Sequence, residues 1–365
     1  MKKLALAALV LSTTSGCFNG CQKKKESEAI EPPPPISAQP ETPSKPLAGE
    51  QLAQRVIACW GLFNDSKWDD FKGCYTPDAS LVDLDARAVG AGDGIAKGID
   101  KIVASNQRDK VGIPDIHGDV RLVLVHDHDI ASITATAGTH TGPIDGITEM
   151  NQKVADLEGN VDVMDDAGRE IRETDYEDTA TTSHQLKPDP AHPVRSAAPD
   201  VPKEIVVAKN DDAEKANVAV VQSMIDAFNK HDAKAMGAAL ADDVVWSEQE
   251  NPKDWTKAEA LADAQAGWKA FSDMKMTADS IWGAGNYVVV QATSQGTNDA
   301  AAPEMGIKTA TKKRVTLPFL EVDQLDGGKI KHAWVIANSA LVPIELGLVP
   351  MPAMPAPPAT GSAAK

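Results

Sequence analysis

Aromatic side chains are scarce in this chain of 365 residues: Phe, Trp and Tyr together make up 4 %, and Trp outnumbers both of the others. Those present are therefore expected in cores or at a pocket wall. Basic residues are also short, giving a formal net charge of −17 with the acids spread along the chain. This excludes the basic patch that a nucleic-acid or anionic-membrane partner requires. No apolar run reaches the ~20 residues of a membrane-spanning helix. A Gly-rich phosphate loop, a Cys-x-x-Cys pair and a Ser-His-Asp arrangement are all missing.

The N-terminus carries a targeting pattern. Met1-Lys2-Lys3 is positive, Leu4 to Leu11 is apolar, and small residues lead to Cys17. This resembles a bacterial lipoprotein signal, with Cys17 as the lipidation site and Cys21 as the alternative. The expectation is a signal peptide over 1–17 and a lipid anchor to the membrane, placing the protein in the bacterial cell envelope, facing the periplasm. Residues 18–48, with four consecutive prolines at 32–35, form an extended tether. Cys59 and Cys74 lie 15 positions apart and have no counterparts further on; an exported chain can hold them as a disulfide or as two buried thiols.

What dominates the sequence is a repeat. Val56 to Asp83 aligns without a gap on Val221 to Glu248, so that Phe63-Asn64 falls on Phe228-Asn229. Gly138-Thr139-His140 falls on Gly296-Thr297-Asn298, and Asp178 and Leu186 fall on Asn338 and Leu346. Two units follow, 49–187 and 211–350, with a Pro/Ala/Asp-rich linker over 188–210 and a Pro/Ala-rich tail over 351–365. In each, a helical stripe (Leu52, Val56, Cys59, Phe63; then Val218, Val221, Ile225, Phe228) precedes a run of strands. Strands are expected near 120–125, 130–139, 153–164 and 170–178, and later near 287–293, 317–324 and 329–338. Helices first and antiparallel strands afterwards give an α+β layout: two tandem cone-shaped domains, each with helices packed against a curved, mainly antiparallel sheet.

Tyr75-Thr-Pro-Asp-Ala79, Ile113-Pro114-Asp115, Gly138-Thr-His-Thr-Gly142, Tyr176-x-Asp178 and Gln185-Leu186, in this order, resemble the SnoaL-like polyketide (ester) cyclase family of the nuclear transport factor 2-like superfamily. The second unit resembles it through Phe228-Asn229, Asp242-Asp243-Val244-Val245-Trp246 and Glu345-Leu346-Gly347. The resemblance implies a deep pocket for a small apolar ligand, and no metal or organic cofactor. It also implies an Asp on the last long strand that acts as general acid/base in ring closure. Asp178 falls at that Asp and His140 at the family's His; Gln185 and Glu345 fall at a family Gln.

From the strand alone, Tyr176 and Asp178 share a face, as do Trp334 and Asn338. An acid beside an aromatic on an apolar wall is what a raised-pKa base needs. The competing reading is that Asp178 ends the strand and caps the next turn. The ligand pocket is expected to include Tyr176, Gln185, Trp334, Asn338 and Asn298. Neither Asn298 nor Asn338 can exchange a proton, which confines chemistry to the first unit. His126-Asp127-His128-Asp129 has metal-ligand residue types, but sits where a hairpin turn is expected. Trp68 and Tyr75 suit core or pocket wall. Three functions fit: a cofactor-independent cyclase, isomerase or dehydratase in the first unit; a binder of a small apolar molecule; or an assembly protein whose sheet faces pair with each other or with another chain.

Overall fold

The computed structural model describes residues 45–84, 94–142, 151–188, 190 and 193–349. The signal segment, Cys17, Cys21, the tether to residue 44 and the tail from 351 lie outside the described residues. No described helix is long and apolar enough to cross a membrane.

The first unit runs α1 (Glu50–Asn64), α2 (Trp68–Phe71), β1 (Tyr75–Asp83), β2 (Ile95–Lys97), α3 (Ile99–Gly112), β3 (His117–His126), β4 (Asp129–His140), β5 (Gln152–Met164), β6 (Glu170–Tyr176) and α4 (Thr179–Leu186). After β7 (Glu204–Val207), the second runs α5 (Asp212–Asn229), α6 (Ala233–Ala239), β8 (Leu240–Glu248), α7 (Lys257–Ala270), β9 (Lys275–Ala284), β10 (Tyr287–Thr297), β11 (Arg314–Asp326), β12 (Lys329–Ala337) and α8 (Leu341–Leu346). The first sheet is ordered β2-β1-β6-β5-β4-β3-β7 and the second β8-β12-β11-β10-β9. Both are mainly antiparallel, with parallel contacts at β1–β6, β3–β7 and β12–β8. This is the expected α+β architecture, two curved sheets each with flanking helices.

Two elements depart from the sequence reading. No strand is expected from the sequence at Tyr75-Thr-Pro-Asp, yet it opens β1; the ladder with β6 shifts register between Tyr75 and Ser80, which accommodates Pro77. Within the linker, Glu204–Val207 adds to the edge of the first sheet beside Leu122–Val125. Cys59 and Cys74 are joined as a disulfide with Cα atoms 5.9 Å apart, tying α1 to the turn after α2.

What the two units share is a set of fasteners. Asn64 ends α1 and grips a strand with both amide atoms: its Nδ2 donates to Gly118 O and its Oδ1 accepts from Gly118 N, each at 2.8 Å. Asn229 does the same to Met276 in the second unit. Asp115 Oδ1 accepts from Thr139 N at 2.6 Å, and Asp273 Oδ1 from Thr297 N at 2.6 Å. Gln185 Oε1 accepts from Ala155 N on β5, and Glu345 Oε2 from Thr316 N on β11. The repeated polar residues thus satisfy strand-edge backbone groups that burial would otherwise leave unpaired.

One apolar cluster draws on both sheets. Leu122, Leu124, Ile133, Leu157, Val161 and Tyr176 pack with Trp282, Tyr287, Val289, Leu320, Trp334 and Ile336. Polar contacts surround it: Gln291 Nε2 donates to Tyr176 OH at 3.1 Å, and Gln249 Nε2 to Leu157 O at 2.9 Å. The linker contributes Asp200 O, which accepts from Trp334 Nε1 at 2.9 Å. Gly159 marks the closest approach, because a Cβ there would stand 2.6 Å from Leu320 Cδ2 and 2.9 Å from Ile336 Cδ1. Gly159→Leu should therefore cost about 1–3 kcal/mol by overpacking, read as a lower urea midpoint. Gly61→Ala is the control: it sits in α1 with nothing within 4 Å of its Cβ position and should be neutral or slightly stabilising. An unchanged midpoint for Gly159→Leu would contradict the packing of these sheet faces.

Candidate functional site

Between the helices and sheet of the first unit lies a cavity of about 160 Å³. One wall is aromatic: Trp60 and Phe63 from α1, Phe71 from α2 and Tyr75 from β1, in an edge-to-face chain with centroids 5.4–6.4 Å apart. The other wall is acidic. Strands β5 and β6 present Asp156, Glu158, Asp162, Glu170, Glu173 and Asp175 to it, and Asp83, Asp109 and Glu177 complete a lining of nine carboxylates. Arg108 is the one cation among the described lining residues. Its Nη2 lies 3.7 Å from Asp83 and its Nε 3.8 Å from Asp109.

The acids are interlinked. Tyr75 OH donates to Glu173 Oε2 at 2.8 Å. Asn160 Nδ2 reaches Glu158 at 3.1 Å, Glu173 at 3.4 Å and Asp175 at 2.8 Å. Oxygens of Asp162, Glu170 and Glu173 lie within 4.8 Å of one another, a spacing at which a cation could be shared. Asp162 Oδ1 and Glu170 Oε2 are fully buried without a hydrogen-bond partner. Desolvation dominates the electrostatics: it pushes Glu158 up to about 8 and Glu177 to about 7. Burial, then repulsion from Glu173, also lifts Asp162, Glu170 and Asp175 well above the ordinary carboxylate range. Glu158 and Glu177 can therefore hold and exchange protons near neutrality.

Tyr75, offered by the sequence as core or pocket wall, lines this cavity, whereas Asp178, His140, Tyr176, Gln185, Trp334, Asn338 and Asn298 do not. Strand β6 ends at Tyr176, so Asp178 is not on the strand; it is the N-cap of α4 and wholly buried. Its Oδ1 accepts from Ala180 N (3.3 Å) and from Ser339 N and Oγ (2.9 Å each), its Oδ2 from Thr181 N (3.1 Å) and Oγ1 (2.5 Å). Of the two readings of Asp178, the cap describes this geometry. Burial raises its carboxyl while the bonds from Thr181 and Ser339 pull it back down. Asn338 stands in the reciprocal place, accepting from Thr179 Oγ1 at 3.0 Å. So the two aligned residues meet across the units, each accepting from the other's neighbour, as equivalent groups do about a local twofold axis.

Tyr176 and Trp334 face the shared cluster rather than a pocket. His140 ends β4, fully buried, its backbone paired with Gln152. Its counterpart Asn298 knots a loop, donating to Ala270 O and Ala300 O and accepting from Thr311 N and Oγ1. Gln185 clasps β5 and also donates to Arg195 O at 2.8 Å. The turn between His126 and Asp129 is a hairpin, with His126 stacked on Trp282. Trp68 and Tyr75 belong to the core cluster that forms the aromatic wall.

The carboxylates were the signal that sequence reading missed. Asp156-x-Glu158-x-Asn160-x-Asp162 and Glu173-x-Asp175-x-Glu177 alternate with period two, one polar face per strand. In the second unit, matching the β11–β12 register to β5–β6 puts Phe319 at Glu158, Ile330 at Glu170, Ala333 at Glu173 and Val335 at Asp175. There a continuous core of Met224, Trp246, Trp268, Phe319 and Ile330 fills the cone. Two acids persist at the register positions of Asn160 and Asp162: Glu321, raised to about 7, and Asp323, both lifted chiefly by burial, with Glu321 Oε1 and both Asp323 oxygens buried without a hydrogen-bond partner.

Two curved sheets, each crossed by helices on its concave side, are cone-shaped domains of the nuclear transport factor 2-like type. Residues 50–186 match the SnoaL-like polyketide cyclase family and 221–333 the SnoaL-like domain family, so the chain belongs to the SnoaL-like family through both of its units. Similar solved structures include AclR from Streptomyces galilaeus (23 % identity, 38 % of this chain and 99 % of that one, TM-score 0.34). IdmH from Streptomyces antibioticus, a proposed polyketide cyclase, gives 22 % identity over 36 % of this chain and 98 % of that one, with TM-score 0.32. TsrD from Streptomyces laurentii gives 17 % identity over 39 % and 100 %, with TM-score 0.34. No curated protein matches the chain.

Asp178→Asn swaps an acceptor for an amide whose N–H groups face N–H and O–H donors. It should lower stability by about 2–4 kcal/mol, the cost of leaving buried polar groups unpaired, measured by urea unfolding. Unchanged stability would mean that Asp178 is not held as described.

Proposed function

We propose that this chain is an envelope-anchored small-molecule receptor whose first unit holds the ligand inside its cone, while the second unit serves as a built-in structural partner. The observation that carries this reading is the opposite filling of two related cones. The first leaves a cavity lined by carboxylates and aromatic rings; the second has apolar side chains at most of the corresponding strand positions, Glu321 and Asp323 excepted. Ligand sites are concave cavities with an apolar wall and placed polar groups; the first cone has the apolar wall and an unusually large polar one. The second unit, in this reading, covers the outer face of the first sheet, the role that a second copy plays in a twofold dimer.

The location rests on the N-terminal pattern, Met1-Lys2-Lys3, Leu4 to Leu11 and Cys17. It is supported by the Cys59–Cys74 disulfide, a bond kept in oxidising compartments. A lipid on Cys17 and an extended tether would hold both units off the membrane surface.

A second reading is favoured by the proton affinity of Glu158. In it the cavity is a cofactor-independent acid–base centre for a cyclase-, isomerase- or dehydratase-type step on a small ester or ketone. Glu158, holding its proton near neutrality, would give it to a carbonyl oxygen while a neighbouring ionised carboxylate takes one from the adjacent carbon. Asp178 has no part in either reading, since both its oxygens are committed to the α4 cap and Ser339.

Mass spectrometry of the intact chain, extracted from bacterial membranes and kept native, tests the main reading. The expected result is a diacylated chain beginning at Cys17 that carries one small molecule, lost in Ser105→Trp, which fills the cavity from α3. Two bound molecules per chain, or one that survives Ser105→Trp, would contradict the receptor reading. An unprocessed, lipid-free chain would contradict the anchor.

A further inference from the structure

The cavity says what kind of molecule it would take. Nine carboxylates face it against one guanidinium, and that guanidinium already stands beside Asp83 and Asp109. Arg55, the nearby buried cation on α1, donates to the backbone carbonyls of Gly168 and Gly73 and is felt electrostatically by Glu170, but it does not line the cavity. A neutral apolar ligand would leave this wall of acids unsatisfied. An anion would be repelled by it.

Within the wall, two atoms are left over. Asp162 is 2 % exposed and Glu170 4 % exposed, yet Asp162 Oδ1 and Glu170 Oε2 have no hydrogen-bond partner. Buried polar atoms without partners are rare in folded proteins because each costs the desolvation of a group that water would otherwise satisfy. Here both belong to residues that line the cavity, and both lie in the trio with Glu173 whose oxygens fall within 4.8 Å. Glu173 itself is committed, taking the Tyr75 hydroxyl and the Asn160 amide. Two residues of the trio thus each carry one acceptor oxygen without a partner, and Glu170 is bonded through its carboxyl group to Glu173 and Tyr75.

Opposite them stand Trp60, Phe63, Phe71 and Tyr75. Ring faces attract cations through their quadrupole. This aromatic cluster already does so on its outer side, where Lys110 Nζ lies 4.7 Å from the Phe63 ring centroid. A bare metal ion would use the carboxylate trio alone. It would leave the aromatic wall untouched and most of the cavity of about 160 Å³ unfilled, a space worth several water molecules.

Resting on the reading of the first cone as the ligand site, we propose that its ligand is an organic ammonium ion, with the cationic nitrogen held by Asp162, Glu170 and Glu173 and its apolar substituents packed on Trp60, Phe63 and Tyr75. A positive charge placed there offsets the burial and mutual repulsion that lift these carboxyl groups, and gives the acceptors without partners a charge to face. The apolar body keeps the hydrophobic contact that a pocket of this fold offers.

The test uses the intact chain, choline, its neutral carbon isostere 3,3-dimethylbutan-1-ol, and calcium, with Trp fluorescence and calorimetry as readouts. Choline should bind at one site per chain and at least tenfold more tightly than the alcohol, a ratio of about 1.4 kcal/mol. Asp162→Asn combined with Glu170→Gln, which keeps shape and removes charge, should weaken choline at least tenfold while leaving the alcohol unchanged; circular dichroism establishes that the double variant is folded. Should the variant not fold, the ratio of choline to alcohol in the unmodified chain decides alone. Equal affinity for choline and the alcohol would overturn the ammonium inference and leave the receptor reading standing. So would calcium binding that excludes choline, which would make the trio a metal site. Choline binding that persists in Ser105→Trp would overturn the receptor reading itself.

Discussion

The structure depends on where the first sheet buries its apolar face. A strand offers two faces, and in a solitary cone the apolar one turns inward to make the core. Here Leu157, Val161 and Tyr176 turn outward into a cluster completed by Leu320, Val322 and Trp334 of the second sheet. Hydrophobic burial is thereby provided on the convex side, at roughly 1.5–3 kcal/mol per large side chain. The concave side is released from that duty. Asp156, Glu158, Asn160 and Asp162, which alternate with those same apolar residues, can then face inward around a cavity.

This arrangement explains the unequal fate of the two units. The second keeps a continuous core through Trp246, Trp268 and Phe319, so its fold holds without help from its interior polarity. In the first, core residues are divided between a cluster under α1 (Leu52, Val56, Val123, Ile130) and one around the disulfide (Cys59, Phe63, Phe71, Ile102). The disulfide joins α1 to the segment entering β1 beside the cavity wall. A loop of this length restricts the unfolded chain by about 3 kcal/mol in the entropic account. That offsets part of what an acid-lined interior costs.

Much of the fold was legible in the sequence. The repeat gave two units, the helical stripes gave α1 and α5, and alternating runs gave the hairpins on either side of Asp127 and Gly327. The repeated Phe-Asn, Gly-Thr and Gln/Glu-Leu positions proved to be fasteners, which is why both copies keep them. Less legible was anything decided by contacts between units. Asp178 has the same sequence neighbours whether it caps a helix or lines a wall, and its partner Ser339 lies 161 positions away. Pro77 hid β1, since a proline argues against a strand and here a register shift absorbs it. Above all, the period-two pattern of β5 and β6 marks two faces without saying which is inside, and the usual assumption of an apolar interior points the wrong way. The acids of the cavity were therefore visible as an alternation but not as a site.

The central claim is that unit one encloses desolvated carboxylates. Carbon-13 NMR of side-chain carboxyl groups, followed through a pH titration of the intact chain, addresses it directly. Burial should leave Glu158 titrating at about 8 and Glu177 at about 7, with the buried Asp signals shifted upward from the ordinary carboxylate range. If every carboxyl group in the first unit ionises below about 5, as in water-exposed peptides, the cavity is not the closed acidic chamber described, and the account of the site fails.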